Sequence, residues 1–165
     1  MPTSQQDSSL ILNVFLYFLP GLRQNVNVVH IAEGEDAYVT TTVYDQKTGL
    51  PRRQQTRLNQ MLHSPPDGTP SEVLFDDDGQ AHWFTWHQFN LEHRENGPST
   101  VVLHPGTQIP MTEVFRLEGQ PRPPELGPYR LRFDESGEVV NKEFSGPDDQ
   151  MTKGVIQHQR NRLEP

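Results

Sequence analysis

The stretch that decides the fold is Pro70–Trp86, PSEVLFDDDGQAHWFTW, because its grammar returns twice further along the chain. Val73 and Phe75 stand third and fifth after the proline, the turn Asp76-Asp77-Asp78-Gly79 follows, and a second run ends on Trp86. From Pro98 the order is Val101, Leu103, His104-Pro105-Gly106 and Phe115; from Pro128 it is Leu131, Phe133, Asp134-Glu135-Ser136-Gly137 and Phe144. Alternation with a period of two is the mark of a half-buried strand, and a glycine-bearing polar turn between two such runs makes a hairpin. The closing aromatic stands seven, nine and seven residues past the glycine, so the middle copy carries an insertion.

Outward from these hairpins, each opening proline ends a tight-turn sequence: Asp67-Gly68-Thr69-Pro70, Asn96-Gly97-Pro98 and Leu126-Gly127-Pro128. The prolines are 28 and 30 residues apart. Upstream of them lie Leu58-Asn59, Phe89-Asn90 and Leu117-Glu118-Gly119, each an apolar residue with a turn former, and His63 and His93 hold matching places. A weaker copy precedes these, since Val39–Tyr44 alternates into Asp45-Gln46-Lys47-Thr48-Gly49. One hairpin cannot bury its apolar side alone, so stacked copies must share a sheet.

The reading is one domain over 1–165: an apolar cap segment at 1–35, the weaker repeat at 36–56, three hairpin repeats at 57–145 and a polar tail at 146–165. Its fold class is mainly β, an antiparallel meander sheet of stacked hairpins with one short N-terminal apolar helix or strand packed on it. The N-terminal element is Leu10–Leu22, LILNVFLYFLPGL, too short to span a bilayer. Asn13 and Tyr17 at helical spacing, with Asp7, Ser8 or Ser9 as cap, favour a helix; the unbroken apolar run equally suits a central strand.

Composition narrows the function. Only 32% of the 165 residues are hydrophobic and 15 are proline, which disfavours long interior helices. The absence of cysteine removes disulfides, zinc-thiolate sites and thiol nucleophiles, and a cytoplasmic setting is the default. A net charge of −8 argues against direct nucleic-acid binding and for a basic protein partner. The start, MPTSQQD, lacks the positive charge of a signal peptide, and no membrane association is expected.

The middle copy reads Phe89-Asn90-Leu91-Glu92-His93-Arg94-Glu95-Asn96-Gly97-Pro98-Ser99, which resembles the NGxxHRxxGPA signature of MORN-like hairpin repeats, often described as YwqK-type antitoxin repeats, of bacteria and phages. The resemblance covers about 90 residues, strongly in this copy and loosely in the flanking two, where His-Arg becomes His63-Ser64 and Pro121-Arg122. It implies a meandering antiparallel sheet, no active site and a role in protein contact.

No catalytic, cofactor-binding or metal-binding set emerges. Five of the seven histidines lie between His63 and His104, but without metal-site spacing. The equivalence of His63 and His93 points to a structural duty, a ring nitrogen bonding a backbone group left over at a sharp turn. The triplet Asp76, Asp77 and Asp78 lacks the distal glutamate of a calcium loop, as position 87 is His87. Alternation puts Trp83 on one sheet face and Phe84 and Trp86 on the other, so one set is either covered by the N-terminal segment or exposed as a contact anchor.

The expected function is a non-enzymatic protein-binding module of antitoxin or inhibitor type, whose partner is a basic protein such as a toxin or nuclease. Its expected contacts are Trp83, Trp86, Asp76, Asp77, Asp78 and Arg94, with the acidic turn Asp134 to Glu138 joining them; Arg94 is expected to pair with Glu92, Glu95 or an acid of a neighbouring copy. The alternative is a ligand or metal-dependent enzyme pocket between the sheet and the N-terminal segment, using His82, His87 or His93.

Overall fold

A computed structural model describes the backbone of residues 14–19, 22–31 and 37–146 and the side chains of residues 38–146. The elements are β1 (Val14–Leu19), β2 (Leu22–Ile31), β3 (Ala37–Asp45), β4 (Pro51–Leu58), β5 (Met61–Leu62), β6 (Glu72–Phe75), β7 (Ala81–Thr85), β8 (His87–Gln88), β9 (Leu91–Glu92), β10 (Thr100–Leu103), β11 (Pro110–Val114), β12 (Arg116–Leu117), β13 (Gln120–Pro121), a single 3₁₀ turn (Pro124–Leu126), β14 (Arg130–Phe133) and β15 (Val139–Glu143). The described residues contain no α-helix.

The long strands form one antiparallel meander in the order β1-β2-β3-β4-β6-β7-β10-β11-β14-β15, and β5 joins it on β4. Of the two readings of the N-terminal element the chain takes the strand: Val14–Leu19 pairs with β2 and extends the sheet beside it instead of packing over a face. Its Val, Phe and Tyr residues favour the pleated surface, and β2 offers a long partner edge. The earlier part of the apolar run, Leu10 to Asn13, lies outside the described residues, as do the proposed helix cap and the end of the polar tail.

Between successive long hairpins the chain makes a two-residue ladder: β4 with β5, β8 with β9, β12 with β13. Their turn pairs are Asn59-Gln60, Phe89-Asn90 and Glu118-Gly119, all with φ between 49° and 76°. Positive φ at both central residues is what a tight two-residue hairpin of primed type requires. These small hairpins stack in register. The Asn90 N–H donates to Leu62 O at 2.9 Å and the Gly119 N–H to Glu92 O at 2.8 Å.

Cross-strand register fixes the faces. One row runs Gln54, Val73, Phe84, Val101, Glu113, Leu131, Lys142, and the next row, on the opposite face, runs Arg53, Leu74, Trp83, Val102, Thr112, Arg132, Asn141. Val73, Val101 and Leu131 thus share a face, as their equivalent places in the three copies require. Among the described side chains the buried apolar ones are Tyr38, Leu58, Val73, Val102, Leu103 and Val114, supplemented by buried hydroxyls. Thr40 and Thr56 bond each other across β3 and β4 at 2.9 Å, and Ser71 and Ser99, each following a turn proline, are 0% exposed. In the middle copy the insertion lies in a longer turn, residues 104–109, closed by His104 N–H to Ile109 O at 2.9 Å; the register shift beside the turn is common to all three hairpins.

Candidate functional site

The repeat signature is assembled one residue at a time. His93 Nδ1 accepts the Glu118 N–H at 3.1 Å, and His63 Nδ1 accepts the Phe89 N–H at 3.4 Å. Both donors belong to left-handed turn residues of the next small hairpin, so the paired histidines do bond backbone groups left over at sharp turns. Arg94 departs from expectation. Its guanidinium lies 4.0 Å from the centroid of the Trp86 ring and donates to Pro98 O at 3.3 Å, while Glu92 is taken by Arg116 at 3.1 Å. Arg122 repeats this arrangement over Phe115 at 3.9 Å, donating to Pro128 O at 2.6 Å. A planar guanidinium can cover an aromatic face and still use its edge N–H groups, which explains the choice of arginine.

Under each guanidinium sits the turn glycine. Gly97 has φ 137° and Gly127 φ 111°, and a Cβ on Gly127 would stand 3.1 Å from Arg122 Nη2. Trp86, which the arginine covers, also donates its indole N–H to Gly68 O at 2.8 Å. Trp86 and Arg94 therefore come together, inside the fold of their own repeat.

The acids lie elsewhere, at the tip of the β6–β7 hairpin. The Asp76 carboxylate accepts the N–H groups of Asp78 and Gln80 at 3.0 and 2.8 Å, and Asp77 pairs with Arg52. Asp134 repeats the Asp76 role with Ser136 and Glu138, and Asp45 does so with Lys47 and Thr48. These hydrogen bonds favour the charged form: the Ser136 hydroxyl and the Glu138 N–H hold the Asp134 carboxyl below the usual range, and the backbone N–H groups of Thr48 and Lys47 do the same for Asp45.

Trp83 stands apart from both groups, on the sheet face opposite Phe84. It is 38% exposed, with its indole N–H held by the Thr85 hydroxyl at 3.0 Å. Strands β1 and β2 join the sheet beyond β3. Trp83 forms one wall of an open groove of about 540 Å³, whose floor is Val102, Thr112 and Val114. Met111, Phe133 and Val140 add apolar surface, and Arg130 and Arg132 stand at the rim, both held by Glu143 at 3.1 and 3.3 Å. The sequence carried a signal for these rim residues: in Arg130-Leu131-Arg132-Phe133 alternation places both arginines on the face opposite Leu131.

The histidines do not converge. His87 is buried, with Nδ1 2.8 Å from the Ser71 hydroxyl, and burial lowers its pKa against the opposing pull of Glu72 and Glu92. His82 Nδ1 is buried without a partner, and no histidine among the described residues lines the Trp83 groove. Among the described residues no group of three His, Asp or Glu side chains is arranged to hold a metal ion, and no helix is long and apolar enough to cross a membrane. A pocket formed against the side chains of residues 1–35 lies outside the described residues. On the other face Glu113 sits between Val101 and Leu131, and burial pushes its carboxyl pKa up.

No protein-family model matches this chain, and neither a curated protein nor a solved structure is similar to it.

Proposed function

We propose that this chain is a non-enzymatic, cytoplasmic protein-binding module of antitoxin or inhibitor type, which holds its partner in the Trp83 groove. The observation that carries the reading is Trp83 itself, a large aromatic left 38% exposed on an apolar floor. Trp is the side chain most enriched at binding hot spots, and a rim of arginines around an apolar centre is the usual anatomy of a protein contact. The acidic turns contribute long-range attraction to a basic partner and the groove contributes the close contact.

The test is affinity capture from lysate of the native host, comparing the wild-type chain with Trp83→Ser. The expected result is a stoichiometric basic protein retained by the wild type and reduced by about tenfold or more in the variant, at unchanged melting temperature. Equal retention by both would overturn the groove as the contact surface.

A further inference from the structure

A second concavity lies between the small hairpins of the middle and third copies, a cleft of about 240 Å³ that shares no residue with the Trp83 groove. Its lining brings together Arg94, Arg116 and Arg122 with Glu95 and the apolar side chains of Phe115, Leu117 and Leu126. Three positive charges against one negative converge there, in a chain whose net charge is −8. Arg116 is neutralised by Glu92, but among the described residues neither Arg94 nor Arg122 forms an ion pair. Each donates to a single proline carbonyl, which leaves several edge N–H groups of each guanidinium without an acceptor. Arg122 Nε is buried with no hydrogen-bond partner, and burial disfavours the charged form of this side chain. Arg122 is only half-buried as a whole, but a buried donor without an acceptor calls for a missing partner.

We infer that this cleft is a carboxylate-binding subsite, which takes an acidic side chain of a bound polypeptide. Two guanidiniums held flat on aromatic rings present their edges to a two-oxygen anion, the geometry that arginine matches best. The apolar side chains suit the methylenes of a glutamate, and the nearby Glu95 carboxylate disfavours a dianion such as phosphate. The residue set that lines the cleft is not repeated at the preceding step. At the preceding step Ser64 replaces the stacked arginine, and His87, whose pKa burial lowers, replaces Arg116.

The experiment follows the arginine Nε–H resonances by NMR at constant ionic strength, with N-acetyl-glutamate N-methylamide, its glutamine counterpart and inorganic phosphate as probes. The glutamate probe is expected to shift Arg94 and Arg122 saturably, with Arg52 and Arg53 unmoved, and the glutamine probe to do nothing. Leu126→Glu places a carboxylate in the cleft from a position that is 59% exposed, so the fold survives. It should weaken the probe by about tenfold or more. No saturable shift, equal shifts at Arg52 and Arg53, tighter binding of phosphate, or undiminished binding to Leu126→Glu would each overturn the assignment.

Discussion

The proline turn of the first copy and those of the second and third solve one problem with different side chains. The backbone scheme is the same in all three: Thr56 N–H to Ser71 O at 2.7 Å, Trp86 N–H to Ser99 O at 2.8 Å, Phe115 N–H to Tyr129 O at 2.7 Å. In the first copy the residues around it are small, with Thr56 bonded to Thr40 and the Ser64 hydroxyl accepting the His87 N–H at 3.1 Å. In the later copies an aromatic and an arginine replace them, and the guanidinium closes the turn from above. The repeat is therefore defined by its backbone bonds, and the side chains named in the family-like signature fill the space those bonds leave.

The largest effect should come from what the first two copies share. Ser71→Ala and Ser99→Ala each remove a fully buried hydroxyl, the second leaving the Arg116 N–H without its acceptor at 3.1 Å. Each should cost about 1–3 kcal/mol in urea unfolding. A large loss in one and none in the other would break the equivalence of the copies. Next, Arg94→Ala and Arg122→Ala should each cost about 1–2 kcal/mol, from the lost ring contact and carbonyl bond, against about 1 kcal/mol or less for Ser64→Ala. If Ser64→Ala matched the arginines, the contrast between the turns would fail.

Glycine replacement sharpens the same contrast. Gly68→Ala meets nothing within 4 Å and should pay only for positive φ, about 1 kcal/mol. Gly127→Ala should exceed it by about 0.5–1 kcal/mol, because its Cβ must displace the stacked Arg122 guanidinium. Thermal melting of the pair decides this.

The smallest effect is in pH. Burial lowers the folded pKa of His87 below its usual 6.5, so around and below pH 6.5 the unfolded chain binds more proton than the folded chain. Stability from this group is complete above pH 6.5 and declines as pH falls below it, by at most about 1.4 kcal/mol per unit. His87→Gln should flatten that slope in unfolding curves taken between pH 7 and 5.

Much of this was legible in the sequence. Alternation located the strands around Val73, Val101 and Leu131, glycine-bearing turns located their tips, and repeated position gave His63 and His93 their backbone duty. It also put Trp83 on the face opposite Phe84. The state of Val14–Leu19 was not legible, since a short apolar run satisfies helix and strand alike until a partner edge is known. Nor was the stacking of Arg94, because Trp86 lies eight residues upstream on the far arm of a small hairpin, and sequence proximity favoured Glu92 and Glu95 instead. The groove escaped for a related reason. Its walls come from Trp83 and from Arg130 and Arg132, strands apart, and only the register of the intervening hairpins brings them to one face.

The most direct test of the view that the signature arginine closes its own turn is a double-mutant cycle of Trp86→Leu and Arg94→Met, read by urea unfolding. A coupling of about 0.5–2 kcal/mol is expected for a partly buried guanidinium on an indole face. Additivity within about 0.3 kcal/mol would contradict it.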